Sequence, residues 1–150
     1  MNRLFRKIVV TFLLIFLLTN CSKDEDTRST VTEYTVWIGL MGGYTKYLSV
    51  FNNGVFEDES SAAFVPLKDC KINELKIKVT KNDLNSDAQL IMRKNGTSTT
   101  MSIRIPQGQT GYFSNSDVVS LKATDEIDLF LDTSSSSGGE IDITIGIALE

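Results

Sequence analysis

The strongest constraint in this chain is a period of two. Between Ile141 and Leu149 the residues alternate without a break. Ile141, Ile143, Ile145, Ile147 and Leu149 fall on one side, and Asp142, Thr144, Gly146 and Ala148 on the other. An extended strand separates side chains this way, whereas a helix would spread the same isoleucines around its circumference. Leu75, Ile77 and Val79 repeat the pattern, as do Met101, Ile103 and Ile105, and Ile127, Leu129 and Leu131. Strand-like runs cover 34–41, 44–51, 62–67, 71–80, 88–94, 97–105, 118–121, 127–132 and 140–149, and no helical period of usable length competes. Gly146 and Ala148 make the second face of the last run small rather than charged, which leads us to expect that another surface covers it.

The punctuation between these runs is that of antiparallel pairing. Asn95-Gly96 is a two-residue hairpin signal, because both residues tolerate the positive φ of a type I′ turn. Asn52-Asn53-Gly54 is a second turn. Ser134 to Ser137 with Gly138-Gly139 reads as a flexible loop joining the last two strands. Short strands separated by turns every 8–12 residues or so describe an all-β fold, an antiparallel β-sandwich of the jelly-roll type with about 8–10 strands. The 150 residues suffice for one domain.

Several stretches resemble the jelly-roll modules that end some collagen-like bacterial proteins and phage fibres, similar in outline to the C1q and tumour-necrosis-factor fold. They are Pro66-Leu67-Lys68-Asp69-Cys70, Leu90 to Gly96, Ile105-Pro106-Gln107-Gly108-Gln109-Thr110-Gly111 and Thr124-Asp125-Glu126-Ile127. A glycine commonly precedes the aspartate equivalent to Asp125 in that pattern, where this chain has Thr124. The resemblance implies a fold rather than an activity, since its motifs consist of turn residues. It also implies a homotrimer as one assembly, with Gly146 and Ala148 at the contact.

The amino terminus carries an address. Arg3, Arg6 and Lys7 precede an apolar run from Ile8 to Leu18, broken only by Thr11. A basic region followed by such a run is a secretory signal, and the run is shorter than the about 20 residues that span a bilayer. Leu18-Thr19-Asn20-Cys21 resembles the bacterial lipobox, whose cysteine receives a diacylglyceryl group and becomes the new amino terminus. Lipoboxes usually have Gly, Ala or Ser where Asn20 stands. Ser22-Lys23-Asp24-Glu25-Asp26 is similar to the acidic tether of surface lipoproteins of the Bacteroidota, where it serves as an export tag. These likenesses imply a signal peptide over 1–20, lipidation at Cys21, a tether over 21–33 and a single domain over 34–150. They place the protein on the outer membrane, surface-exposed, with the membrane as a partner through the lipid on Cys21. Two or more acyl chains on one cysteine are a sufficient anchor.

Removing residues 1–20 takes away three basic residues and no acidic one, which lowers the net charge from −4 to −7. An acidic chain without a basic stripe is unsuited to nucleic acid; Lys68, Lys71, Lys76, Lys78 and Lys81 read as a solvated strand face. With Cys21 lipidated, Cys70 is the only remaining thiol, a small hydrophobe without a disulfide partner. The chain contains no histidine, which removes Ser-His-Asp and Cys-His nucleophiles and every histidine-containing zinc site.

The surviving chemistry is that of carboxylates. Glu57, Asp58 and Glu59, then Asp125, Glu126, Asp128 and Asp132, then Glu140 and Asp142 are candidates for a glycan hydrolase pair or for calcium, but no spacing marks a site. Phosphate loops, dinucleotide glycine patterns and CxxC pairs are absent. For saccharides the relevant groups are exposed rings beside polar side chains. Trp37, Tyr44, Tyr47, Tyr112 and Phe113 are the available rings, with Trp37 read as core, 44–47 and 111–115 as exposed loops, and core or rim packing as the competing reading for each ring; Tyr44, Tyr47 and Tyr112 are the candidate ligand-binding residues. The sequence therefore predicts a noncatalytic, surface-anchored binding or display module without cofactor or metal, its partner a glycan or a surface protein. The competing readings are a small carboxylate-dependent glycan hydrolase and a calcium-binding structural module.

Overall fold

A computed structural model describes residues 30–49 and 54–150, and the side chains of 42–49 and 54–150. The expected signal peptide, Cys21 with its acidic tag, the side chain of Trp37 and the turn at Asn52-Asn53 lie outside those residues. Ten strands are present: β1 (Thr30–Met41), β2 (Thr45–Leu48), β3 (Val55–Phe56), β4 (Cys70–Asn82), β5 (Ala88–Lys94), β6 (Thr97–Ile105), β7 (Gly111–Asn115), β8 (Val119–Leu121), β9 (Ile127–Asp132) and β10 (Glu140–Leu149). One short helix, α1 (Glu59–Ala62), follows β3. β1 begins at Thr30, inside the stretch expected to be tether.

All pairings are antiparallel. The first sheet runs β1-β10-β4-β7, with β8 also on β4, and the second runs β3-β2-β9-β5-β6. Chain order thus alternates between sheets, placing β1, β10, β4 and β7 against β2, β9, β5 and β6, the wrapping of a jelly roll. The two inner faces meet in one core: Leu75, Ile77, Ile141, Ile143, Ile145 and Ile147 from the first sheet, Leu90, Met101, Ile105, Ile127, Leu129 and Leu131 from the second. The alternating positions read from the sequence are buried except at the end of β10, where a register shift leaves Leu149 half-buried and Ala148 buried instead. β10 lies between β1 and β4, and its isoleucines are at most 2% exposed.

Two breaks in the alternation of β4 have a local cause. The register slips between the Ile72–Leu149 and Glu74–Ala148 pairs and again between the Val79–Ile143 and Lys81–Asp142 pairs. A β-bulge inserts one residue and turns the following side chains to the other face. The slips allow both Ile72 and Leu75, and both Val79 and Asn82, to be buried.

Turn chemistry agrees with the sequence at Asn95-Gly96, where φ is 51° and 76° and the hairpin joins β5 to β6. Elsewhere the structure differs. The run 62–67 is not a strand: Ala62 ends α1, and only Phe64 forms a bridge, to Ile127. The stretch Gly111–Asn115, read as an exposed loop, is β7, which pairs with β4. The loop after β9 is pinned rather than flexible. Ser136 is 1% exposed, donates to Asn85 Oδ1 at 2.7 Å, and accepts from the Asn85 backbone N–H at 3.1 Å.

Candidate functional site

The outer face of the first sheet carries an open groove. Across it, register aligns Thr144 of β10, Lys78 of β4 and Tyr112 of β7, and the next outward row aligns Gly146, Lys76 and Ser114. Period-two geometry turns Phe113 into the core and Tyr112 outward, so the tyrosine ring stands 68% exposed. Lys76 Nζ and Lys78 Nζ lie 5.6 and 5.7 Å from the ring centroid. At that distance an ammonium is attracted by the ring quadrupole, weakly in water. Thr144, Gly146 and Ala148 form a low floor in front of these side chains, and Glu74 stands at the rim of a groove of about 480 Å³. The floor is low because a Cβ at Gly146 would find nothing nearer than the Lys76 carbonyl oxygen at 3.9 Å. The expectation that another surface covers Gly146 and Ala148 is met in part: Ala148 is 5% exposed, whereas Gly146 is only half-buried among the described residues.

Among the described residues neither Lys76 nor Lys78 has a carboxylate partner. Lys81 on the same strand has two, Glu140 at 2.6 Å and Asp83 at 3.3 Å. These partners hold its ammonium above the usual lysine range, chiefly through the hydrogen bond to Glu140. Lys122 is similarly held up by Asp69 at 2.8 Å. Among the described residues the groove thus holds two cations without an ion-pair partner, and one acid, Glu74, on an acidic protein.

One end of the second sheet's outer face is filled beneath α1, while the outward row Asp132, Gln89 and Arg104 at the other end stays open. Asp128 of β9 pairs in register with Arg93 of β5, and Glu59 of α1 reaches both. Asp128 is 1% exposed and its Oδ1 has no hydrogen-bond partner. Burial, then the hydrogen bond and charge of Glu59, push its carboxyl up to about 7, against the opposing pull of Arg93. Arg93 ion-pairs with Glu59 at 3.2 Å, donates to Tyr47 Oη at 3.1 Å and to the Gly96 carbonyl, and stacks 5.3 Å from the Tyr47 ring and 5.6 Å from Phe130. The sequence offered Asp128 and Glu59 among many acids, but nothing in it pointed to Arg93 as their common partner.

The three candidate tyrosines do not converge. Tyr112 lines the groove. Tyr47 packs on Phe130 with centroids 5.2 Å apart and accepts from Arg93, so its ring and hydroxyl are committed within the second face. Tyr44 is 53% exposed at the end of β2, with Lys46 Nζ 5.3 Å from its ring. Several of the other acids are individually engaged. Glu57 accepts from Lys46, and Asp58 accepts from Ser60 and Ser61. Asp125 accepts from the Lys122 N–H and from Asn95, both at 2.8 Å, with Lys94 at 3.4 Å; those backbone and side-chain hydrogen bonds lower its carboxyl below the usual range. Asp132 accepts from the Ser134 N–H at 2.9 Å. Among the described residues no three acids or cysteines gather in a metal-holding group. Cys70, expected buried, is half-buried at the start of β4, and burial pushes its thiol up.

No family model matches this chain, and no curated protein matches it. Among solved structures, the Podospora anserina GH26-CBM35 β-(1,4)-mannanase superposes with a TM-score of 0.45 at 13% identity, over 82% of this chain and 28% of that one. Dimeric latent PorU from Porphyromonas gingivalis superposes with a TM-score of 0.39 at 9% identity, over 80% of this chain and 12% of that one. Neither likeness bears on what this chain binds.

Proposed function

We propose that this protein is a noncatalytic surface lipoprotein, anchored through Cys21, whose sandwich binds a saccharide in the groove beside Tyr112. The observation that carries the reading is an exposed ring on β7, separated by the two β4 lysines from a floor of small residues on β10, with neither lysine ion-paired among the described residues. A sugar ring can stack on Tyr112 while its hydroxyls reach Thr144, Glu74 and the lysines. The low floor lets a flat ligand approach the sheet closely.

The alternative of a carboxylate hydrolase would need two acids facing a substrate. Asp128, the one acid among the described residues pushed towards neutrality, is 1% exposed beside α1 and is closed off from a glycan. Self-association through the groove would gather Lys76 and Lys78 from three copies, and that repulsion weighs against a homotrimer built on this face.

Calorimetry of the full chain in detergent against neutral and charged oligosaccharides tests the reading. Tyr112→Ala should abolish binding and leave the thermal transition in place. Turnover of any glycan that one Asp or Glu substitution abolishes would overturn it. For the anchor, mass spectrometry should find a diacylglyceryl group on Cys21, and Cys21→Ser should lose partition into detergent; an unmodified wild-type cysteine refutes it.

A further inference from the structure

We infer that the groove selects acidic saccharides, those carrying carboxylates on the sugar ring, an inference that rests on the saccharide reading above and narrows it. The chain carries 19 acidic and 15 basic residues, yet its groove presents two ammonium groups without a carboxylate partner among the described residues. Lys81, three residues beyond Lys78, is neutralised twice, whereas Lys71, Lys76 and Lys78 of the same strand have no ion-pair partner among the described residues; of these, Lys76 and Lys78 are the two that flank an exposed ring.

The geometry adds a second reason. The two ammonium groups stand at nearly equal distances, 5.6 and 5.7 Å, from the ring on which a sugar would stack. They occupy alternate positions of one strand, so their stems rise side by side from the same face. A ligand lying on Tyr112 therefore meets two ammonium groups along the β4 side, with the Glu74 carboxylate further along the same strand, and a low, uncharged floor of Thr144, Gly146 and Ala148 along the β10 side. A neutral sugar would use the ring and leave both charges unanswered. A uronate answers them with charge-assisted hydrogen bonds, which are stronger than neutral ones. On a protein whose net charge repels anions, such a patch gives discrimination through local contacts rather than through the long-range field.

The test uses the full chain in detergent, an oligogalacturonate of four sugars and its methyl ester, which keeps every ring and removes the charge. Calorimetry should show the acid form binding about tenfold or more tightly than the ester. Its affinity should fall as sodium chloride rises, with little effect of salt on the ester. Lys76→Gln and Lys78→Gln should each erase most of that difference, and Tyr112→Ala should lose both ligands. If acid and ester bind equally and both depend on Tyr112, the acidic selection is wrong while the saccharide reading stands. If a polyglutamate of equal charge binds as tightly as the oligogalacturonate, charge alone is recognised and the inference fails. If neither the acid, the ester nor neutral oligosaccharides bind, the saccharide reading fails and the inference with it.

Discussion

Each outer face of the sandwich sets a cation against a tyrosine, and the two pairs serve opposite ends. On the second sheet Arg93 lies 5.3 Å from the Tyr47 ring and is spent on structure, bonded to Tyr47, Gly96 and Glu59 beneath α1. On the first sheet Lys78 lies 5.7 Å from the Tyr112 ring and is spent on nothing among the described residues. The difference lies in what surrounds each pair. α1 brings Glu59 onto the second face and excludes water, so every polar group there needs a partner. Among the described residues the first face has no such cover over Thr144, Gly146 and Tyr112, and its charges are satisfied by solvent until a ligand replaces it. One motif of local chemistry thus becomes a clasp where it is buried and a recognition element where it is open.

The sharpest way to break this comparison is to remove the clasp. Arg93→Ala should destabilise the domain by about 2–3 kcal/mol, because it leaves Glu59 and Asp128 together without their cation and strips two rings of a packed neighbour. Lys78→Gln, its counterpart on the open face, should change stability by no more than about 0.5 kcal/mol. Chemical denaturation of both variants reads the contrast; equal losses would mean that the two faces are built alike.

A smaller effect comes from titration. Asp128 is held near 7 in the fold against an ordinary 3.8, so the folded state keeps a proton that the unfolded state gives up between those values. Stability should therefore fall as pH rises from about 4 to 7 and level off above, by an amount on the order of 1–3 kcal/mol. Asp128→Asn should abolish that slope and melt higher than wild type at pH 8, since the amide keeps a donor for Glu59 without the charge. The acids Asp58, Asp69, Asp87 and Asp125, which accept hydrogen bonds as anions, are lowered instead. Their contribution is present above their ordinary range and is lost only as pH falls below about 4, so the two windows separate in a melting series. A variant slope equal to wild type would assign the titration elsewhere.

The smallest effect should be Gly146→Ala. The added methyl meets only the Lys76 carbonyl at 3.9 Å, and alanine restricts the unfolded chain, so stability should hold or rise by about 0.5–1 kcal/mol. The same methyl raises the groove floor and should weaken saccharide binding without unfolding the domain. A clear drop in melting temperature would mean that the floor is covered after all.

The strands were legible in the sequence because burial on one face leaves a trace every second residue. The isoleucines of β10, the apolar triplets of β4, β6 and β9, and Asn95-Gly96 between β5 and β6 each state their role locally. β7 was hidden for a physical reason: in Gly111-Tyr112-Phe113-Ser114-Asn115 only Phe113 faces the core, too few positions to establish a period. The run 62–67 misled in the opposite direction, since its apolar residues are the end of α1 and the isolated bridge at Phe64.

What the sequence determined by itself was therefore the class of fold, the hairpin turn, the exclusion of histidine chemistry and the identity of Tyr112 as a candidate. Tertiary structure alone decided which strands became neighbours, because pairing β10 with β4 joins residues about seventy positions apart and nothing local records that choice. That pairing set Gly146 beside Lys76 and opened the groove. The pairing of β9 with β5, together with the folding back of α1, put Arg93, Asp128 and Glu59 in one place. A charge in the sequence shows only that it exists. Whether it is a clasp or a contact for a ligand depends on which groups distant in the chain arrive to neutralise it, and on whether water can still reach it.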